Sequence, residues 1–127
     1  MPVFDQTFAA LILGLETRGM LDETLVLCLS EHGRTPKIDS KPKGTDHHHW
    51  SRVYSQVFAG GGIGRGNLVG QTDAIGGDVV DTPVSPKDVL ATAFHLLGID
   101  PQTTVSDHVN RPITITGAGK VRGELLS

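Results

Sequence analysis

The sequence has little that would assign it to a specialised class of protein. Its one cysteine, Cys28, excludes an internal disulfide, and the apolar residues around it favour a buried, inert thiol. No apolar run approaches the roughly 20 residues that a membrane-spanning helix needs. A formal net charge of -3 gives no electrostatic reason to expect binding to nucleic acid or to an anionic membrane. The first residues lack the basic start of a signal peptide, so we expect none in this chain.

Glycine and proline, by contrast, are frequent. The 127 residues include 16 glycines and 7 prolines, so we expect much of the chain to lie in shaped loops, where binding sites tend to be found. A chain of this length is enough for one hydrophobic core. We therefore expect a single domain spanning residues 1–127.

Apolar periodicity and turn signals divide the chain into short elements with a long polar loop between residues 31 and 50. The expected elements are, in order, a helix at 3–18 ending at Gly19, a strand at 24–30 buried on both faces, a strand at 53–59, strand-like pieces at 67–70 and 78–80, a helix from 86 to Gly98 and a strand at 112–115. This order predicts an α/β layered fold, in which ligands bind beyond the carboxyl ends of the strands.

The start of the second helix carries the strongest local signal. Ser85 is expected to be the N-cap, followed by Pro86 and by Asp88, which completes a capping box. Five apolar side chains are expected on the inner side of this helix: Val89, Leu90, Ala93, Phe94 and Leu97. His95 lies beside that face and is interpreted as a histidine that packs in the core or supports a ligand, with its hydrogen bonds satisfied.

Glu31 and His32 directly follow the strand predicted at 24–30, where a ligand site is expected. Consecutive side chains leaving a strand diverge, so this pair suits two metal ions, or one ion and one phosphate-like group. Two-metal hydrolases hold their ions about 3.5–4 Å apart, a distance that neighbouring residues span. The alternative is a solvated pair at the mouth of a loop.

The far end of the same loop carries a second group of candidate ligands, namely Asp46, His47, His48 and His49. Carboxylate and imidazole suit zinc, manganese or iron, although three adjacent histidines do not all reach one ion, so one or two would be ligands. The alternative is an exposed polar loop. Because the two groups flank one loop, the loop is able to bring them together.

Two further motifs bear on anion binding. Arg34 and Thr35 would suit a phosphate or sulfate oxyanion beside a metal, although Arg34 is equally suited to a structural salt bridge. The glycine-rich run at residues 60–66 lacks the spacing of a phosphate-binding loop and is interpreted as a tight exit from the preceding strand. Asp107 and His108 are interpreted as a turn.

The segment SEHGRTP at residues 30–36 resembles the S-E-F-G-R-T-P signature of domain-of-unknown-function family 1501, a group of sulfatase-like bacterial proteins in the alkaline phosphatase superfamily. Other segments resemble that family in the same order: the DHHHW loop at 46–50, FAGGGI at 58–63, VGQTD at 69–73 and the helix that ends in LGID at 97–100. The resemblance covers nearly the whole chain.

The resemblance implies the C-terminal portion of an alkaline-phosphatase-like fold, a three-layer α/β arrangement of a sheet with helices. It also implies a site for a divalent metal (zinc, manganese or calcium) and a phosphate or sulfate ester as substrate. Glu31 and His32 fall on the positions of the superfamily's metal-binding Asp-His pair. His49 matches the later histidine ligand if the register is taken from Trp50, and His47 matches it if the count starts at Asp46.

The sequence departs from the superfamily in ways that bear on activity. Glu31 stands where the superfamily has aspartate, and His32 stands where the family pattern more commonly has phenylalanine. The half of the fold that supplies the nucleophile has no counterpart in this chain. We therefore expect a homologue of metal-dependent ester hydrolases that is inactive without that half. The alternative is a non-catalytic metal- or partner-binding module. Self-association through an exposed sheet edge is a further expectation, and the family is often exported.

Overall fold

The computed structural model describes residues 2–41 and 44–127 and shows a mixture of helices and short strands. Within those residues there are two α-helices, α1 (Pro2–Thr17) and α2 (Pro86–Leu96). The strands are β1 (Val26–Cys28), β2 (Gly33–Arg34), β3 (Asp39–Lys41), β4 (Gly44–Asp46), β5 (His49–Trp50), β6 (Val57–Ala59), β7 (Gln71–Thr72), β8 (Val79–Asp81), β9 (Thr104–Ser106) and β10 (Pro112–Thr114). The predicted combination of helices and strands is confirmed.

Every sheet in the described part of the chain has two strands, paired as β1–β6, β2–β5, β3–β4, β7–β8 and β9–β10. The last four of these pairs are antiparallel. The chain clusters into two compact units. One comprises the residues up to Val26 together with 58–67 and 84–127, and the other comprises 27–57 and 68–83. The single domain over residues 1–127 stays a prediction.

Helix α1 opens the first unit and confirms the predicted helix, including its end. The N–H of Gly19 donates to Glu16 and that of Met20 donates to Leu15, while Gly19 takes the positive φ of +66° that such a helix end requires. No side chain of α1 is fully buried. The apolar side of the helix is therefore only partly covered, with Phe4 and Leu11 exposed.

Helix α2 confirms the predicted capping box in full. The Asp88 N–H donates to Ser85 Oγ at 3.2 Å, and the Ser85 N–H donates to Asp88 Oδ2 at 2.9 Å. The helix ends before Gly98, as predicted, and Gly98 has a φ of +74°. A local pattern of donors and acceptors fixed both ends, which is why the sequence located them.

The inner side of α2 differs from the prediction. Val89 is buried, but Leu90 and Leu97 are 41% and 64% exposed, and the most buried side chains are Ala91 and Thr92. The C-terminal tail explains the rotation of the buried side. The Lys120 N–H donates to Asp88 and the Arg122 N–H donates to the Thr92 hydroxyl at 3.0 Å, so the tail covers the side of the helix that carries these polar residues.

The interpretation of His95 as a packed histidine is wrong, because its side chain is exposed near the end of α2. The remaining core of the first unit is small: Leu21 and Ile63 are its other buried apolar side chains among the described residues. Ile63 forms a bridge with Leu126, which holds the end of the chain beside the glycine-rich exit at residues 60–62. All three of those glycines have positive φ, in agreement with the predicted tight exit.

Acid should weaken the attachment of the tail to α2. Partial burial alone would raise the pKa of Asp88, but hydrogen bonds from the Lys120 and Ser85 N–H groups outweigh it, and the pKa lies below its usual value. Ionised Asp88 therefore stabilises the fold above its unfolded pKa of about 3.9, and the contribution is lost as the pH falls through the folded pKa. In urea unfolding, the stability deficit of Asp88→Asn should be constant near neutral pH and shrink below about pH 4. A deficit that does not change with pH would contradict this.

The second unit contains strands where the sequence predicted only loop. Between residues 31 and 50, β2 pairs with β5 and β3 pairs with β4, so the segment folds back on itself as a ribbon. The segment is polar and lacks an alternating pattern, so its pairing through backbone hydrogen bonds left no signal in the side chains. Pro42 and Lys43 of this loop lie outside the described residues.

The other predicted strands exist but are shorter or shifted. The strand expected at 24–30 is reduced to β1, which is half-buried, and Leu29 beyond it is exposed. The expected burial on both faces therefore does not occur. The piece expected at 67–70 appears as β7 at Gln71–Thr72, and it pairs with β8.

The turn predicted at Asp107 and His108 is confirmed between β9 and β10. Asp107 Oδ1 accepts hydrogen bonds from the N–H groups of Arg111 and Val109, both at 2.9 Å. These bonds, led by the one from Arg111, hold the pKa of Asp107 below its usual value. Strand β9 itself was not expected.

Candidate functional site

The two ends of segment 31–50 meet in the ribbon of the second unit. Gly33 pairs with Trp50 and Arg34 pairs with His49. The ladder continues through Thr35, whose N–H donates to the His48 carbonyl at 2.9 Å. Residues that are separated by the length of the loop in sequence therefore lie opposite one another in space.

His32 and His49 form the closest contact between the two predicted groups of ligands. Side chains alternate between the faces of a strand, so His32, Arg34 and His49 share one face, while Trp50 lies on the other. His32 is a diagonal neighbour of His49 across the pair, a separation that large side chains bridge. The ring centroids are 5.2 Å apart with an interplanar angle of 63°. Both side chains are exposed.

Gly33, next to His32 in the chain, lets β2 approach the backbone at Trp50 and Val53 closely. A Cβ on residue 33 would overlap the Val53 carbonyl oxygen and would lie 3.2 Å from the Trp50 carbonyl oxygen. On one side of it, the Ser30 hydroxyl donates to the His32 carbonyl at 2.8 Å, which ties down the backbone at His32. The position of the imidazole pair therefore depends on a residue without a side chain.

The other two adjacent histidines have different partners. His47 is half-buried, and its Nδ1 lies 2.8 Å from the Thr35 carbonyl oxygen. His48 Nε2 lies 3.0 Å from Asp39 Oδ2 on the exposed surface. Only His49 of the three contacts His32 through its ring among the described residues.

The remaining predicted site residues are exposed or already bonded within the ribbon. Glu31 is exposed beside His32, and Asp46 is exposed on β4, in register with Asp39 on β3. Arg34 donates one of its five N–H groups to the His47 carbonyl at 3.3 Å, and the guanidinium is otherwise directed to the surface. The Thr35 hydroxyl donates to the Lys37 carbonyl at 3.1 Å and accepts from the His48 N–H.

The His32 and His49 rings are about as far apart as two imidazole rings that share one zinc ion. Two imidazoles that bind a tetrahedral zinc through nitrogens at about 2.0–2.1 Å hold their ring centroids roughly 5 Å apart. The 5.2 Å observed for His32 and His49 fits that requirement. In residues 2–41 and 44–127, no group of three or more His, Cys, Asp or Glu side chains is arranged to hold an ion. The ribbon therefore brings two imidazole rings together, with Arg34 on the same face.

The comparison with protein families assigns the chain to a family. The model of a family described as "Protein of unknown function (DUF1501)" matches residues 1–126. The chain belongs to this family. The resemblance to family 1501 inferred from residues 30–36 is thereby confirmed.

Neither the curated proteins nor the solved structures compared with this DUF1501 chain gave a match. Among the described residues, neither helix has the length and apolarity that crossing a membrane demands.

The residues that support the ribbon in this DUF1501 protein were not predicted from the sequence. Trp50 Nε1 donates to the Gly77 carbonyl at 2.8 Å, and Arg52 forms a 2.7 Å ion pair with Asp78. Gly77 and Asp78 belong to the loop between β7 and β8. Asp73 of the same loop is the last residue of the VGQTD segment that resembles the family. A signal was nevertheless present, because an aspartate followed by two closely spaced glycines is typical of a side-chain-capped turn.

Proposed function

We propose that the chain supplies one side of the metal site of a phosphate- or sulfate-ester hydrolase of the alkaline phosphatase superfamily. The observation that supports this most is the contact of the His32 and His49 rings on the face of the ribbon that carries Arg34. Imidazole nitrogens suit zinc and manganese better than calcium, which prefers oxygen ligands. A divalent ion held there would act as a Lewis acid toward an ester oxygen.

Each residue of the ribbon has a separate role in this proposal. His32 and His49 would bind the ion through one nitrogen each, and Glu31, whose side chain diverges from that of His32, would be left to a second ion with further ligands from outside these residues. Arg34 binds the oxyanion of the ester through charge-assisted hydrogen bonds. Thr35 has no role in binding the oxyanion, because its hydroxyl group donates its proton to the Lys37 carbonyl. Asp46 and His47 are second choices as ligands, because neither contacts His32.

We also propose a fold for the whole chain. Residues 1–127 would form the C-terminal portion of an alkaline-phosphatase-like three-layer α/β arrangement, with the nucleophile and further ligands supplied from outside these residues. The resemblance of the SEHGRTP segment, which carries Glu31, His32 and Arg34, to sulfatase-like proteins is what supports this assignment.

A non-catalytic metal- or partner-binding module is the second candidate function. It is favoured by the finding that, in the described part of the chain, no third ligand side chain joins His32 and His49. Metal-dependent turnover of p-nitrophenyl phosphate or sulfate that is lost in His49→Ala would support the hydrolase. Zinc binding without turnover, even when the chain is joined to the rest of a parent protein, would support the module.

Zinc titration of the purified chain by calorimetry tests the ligand assignment. We expect one zinc ion per chain, and we expect His32→Ala and His49→Ala each to weaken binding about tenfold or more. His95→Ala is the matched control, because it removes an exposed imidazole outside the ribbon and should leave the affinity unchanged. Absence of zinc binding at micromolar concentration, or equal effects of all three variants, would contradict the proposal.

A further inference from the structure

The imidazole pair stands on a very short ladder. Strands β2 and β5 share only two residue pairs, and a ribbon of that size is at best marginally stable by itself. His49 therefore needs a second attachment if its ring is to stay beside His32. The neighbour of His49 on β5 is Trp50, whose side chain lies on the opposite face of the ribbon.

Trp50 provides that attachment through its indole. The ring N–H donates to the Gly77 carbonyl at 2.8 Å, and the side chain is half-buried. Arg52 lies 5.9 Å from the centre of the indole and forms a 2.7 Å ion pair with Asp78, so it joins the same two segments a second time. The face of β5 away from the histidines is thus bound to the loop at residues 73–78.

Asp73 determines the position of the Gly77 carbonyl group. Its Oδ1 accepts hydrogen bonds from the Gly77 N–H at 2.7 Å and from the Ile75 N–H at 3.2 Å. Its own backbone N–H donates to the Asp78 carbonyl at 3.0 Å. One carboxylate oxygen therefore organises the turn that presents the acceptor to Trp50.

We infer that Asp73 is a positioning residue for the imidazole pair: through the Gly77 carbonyl and the Trp50 indole it holds His49 beside His32. This inference concerns the arrangement of the rings and, where it refers to metal affinity, rests on the proposed function. Asp73 touches neither histidine, so its effect passes through Trp50.

The test compares Asp73→Ala with Asp73→Asn, since asparagine keeps an Oδ1 acceptor for the Gly77 N–H and alanine does not. Proton NMR contacts between the His32 and His49 rings are expected in the parent chain and in Asp73→Asn, and are expected to be lost in Asp73→Ala. Zinc affinity should fall about tenfold in Asp73→Ala and be restored in Asp73→Asn. Asp81→Ala, an exposed aspartate on β8 of the same hairpin, is the matched control and should resemble the parent.

The ring contacts and the zinc affinity test different statements, so each can fail without the other. Ring contacts and zinc affinity in Asp73→Ala that equal those of the parent would overturn the inference. A parent chain that shows ring contacts but binds no zinc would overturn the proposed function, and the ring contacts would still decide the role of Asp73. If Asp73→Ala does not fold, Trp50→Phe replaces it, because phenylalanine retains an aromatic ring but not the N–H donor. Ring contacts that survive in Trp50→Phe would also overturn the inference.

Discussion

Gly33→Ala is expected to destabilise the ribbon by about 3 kcal/mol and to separate the two histidine rings. The added Cβ would overlap the Val53 carbonyl oxygen, and it would lie 2.9 Å from the Val53 carbonyl carbon. Both neighbours are backbone atoms, which do not rotate away as a flexible side chain does. Relief therefore requires the chain at Val53 or the β2–β5 ladder to move. Trp50 is the sole tryptophan and lies in the same unit, so its fluorescence during urea unfolding reports the loss of stability directly.

Gly123→Ala is the matched control for this substitution. Nothing lies within 4 Å of the Cβ that it would add, and its backbone does not have a positive φ. Its unfolding midpoint should stay within the range of an ordinary surface change, about 0.5 kcal/mol in either direction. If Gly33→Ala unfolds at the same urea concentration as Gly123→Ala, the close approach at residue 33 is not a constraint on the ribbon.

Gly60→Ala is expected to have a comparable effect on the first unit, because it combines two penalties. Residue 60 has a φ of +70°, which costs an alanine about 1–2 kcal/mol. The new Cβ would also overlap the carbonyl oxygens of Leu21 and Thr24, which adds about 1–3 kcal/mol for overpacking against backbone. The total is about 2–5 kcal/mol, to be measured by thermal unfolding followed through the helical circular dichroism of α1 and α2.

Gly98→Ala separates the two penalties at residue 60. Its φ of +74° is similar, but nothing lies within 4 Å of the added Cβ, so it should lose only the 1–2 kcal/mol that belongs to the backbone conformation. A Gly60→Ala variant that loses no more than Gly98→Ala would show that Leu21 and Thr24 can move away from the exit at residues 60–62.

The parts of the fold that could be predicted were those with a local chemical cause. Ser85 and Asp88 satisfy each other's backbone donors, and Gly19 and Gly98 end their helices, so both helices were located from a few residues each. The buried side of α2 was not predictable in the same way. It depends on the tail from Lys120 to Arg122, which lies 30 residues further along the chain than Thr92.

The candidate site was half predictable for a related reason. The residue types indicated which side chains could bind a metal ion. The position of both groups at the ends of one loop indicated that the ends of segment 31–50 could meet. His49 differs from His47 and His48 through the register of β2 with β5, which places it opposite Arg34. That register is set by backbone hydrogen bonds, by the close approach at Gly33 and by the bond between Trp50 and Gly77, none of which is a side-chain pattern within the segment.

The proposed site depends on His32 and His49 binding the same metal ion. X-ray absorption spectroscopy of the zinc-loaded chain tests it most directly, because the spectrum counts imidazole ligands around the metal. We expect two imidazole nitrogens at about 2.0–2.1 Å in the parent chain and their loss in the His32→Ala/His49→Ala double variant. A zinc spectrum with oxygen ligands alone, or one that the double variant leaves unchanged, would contradict the claim.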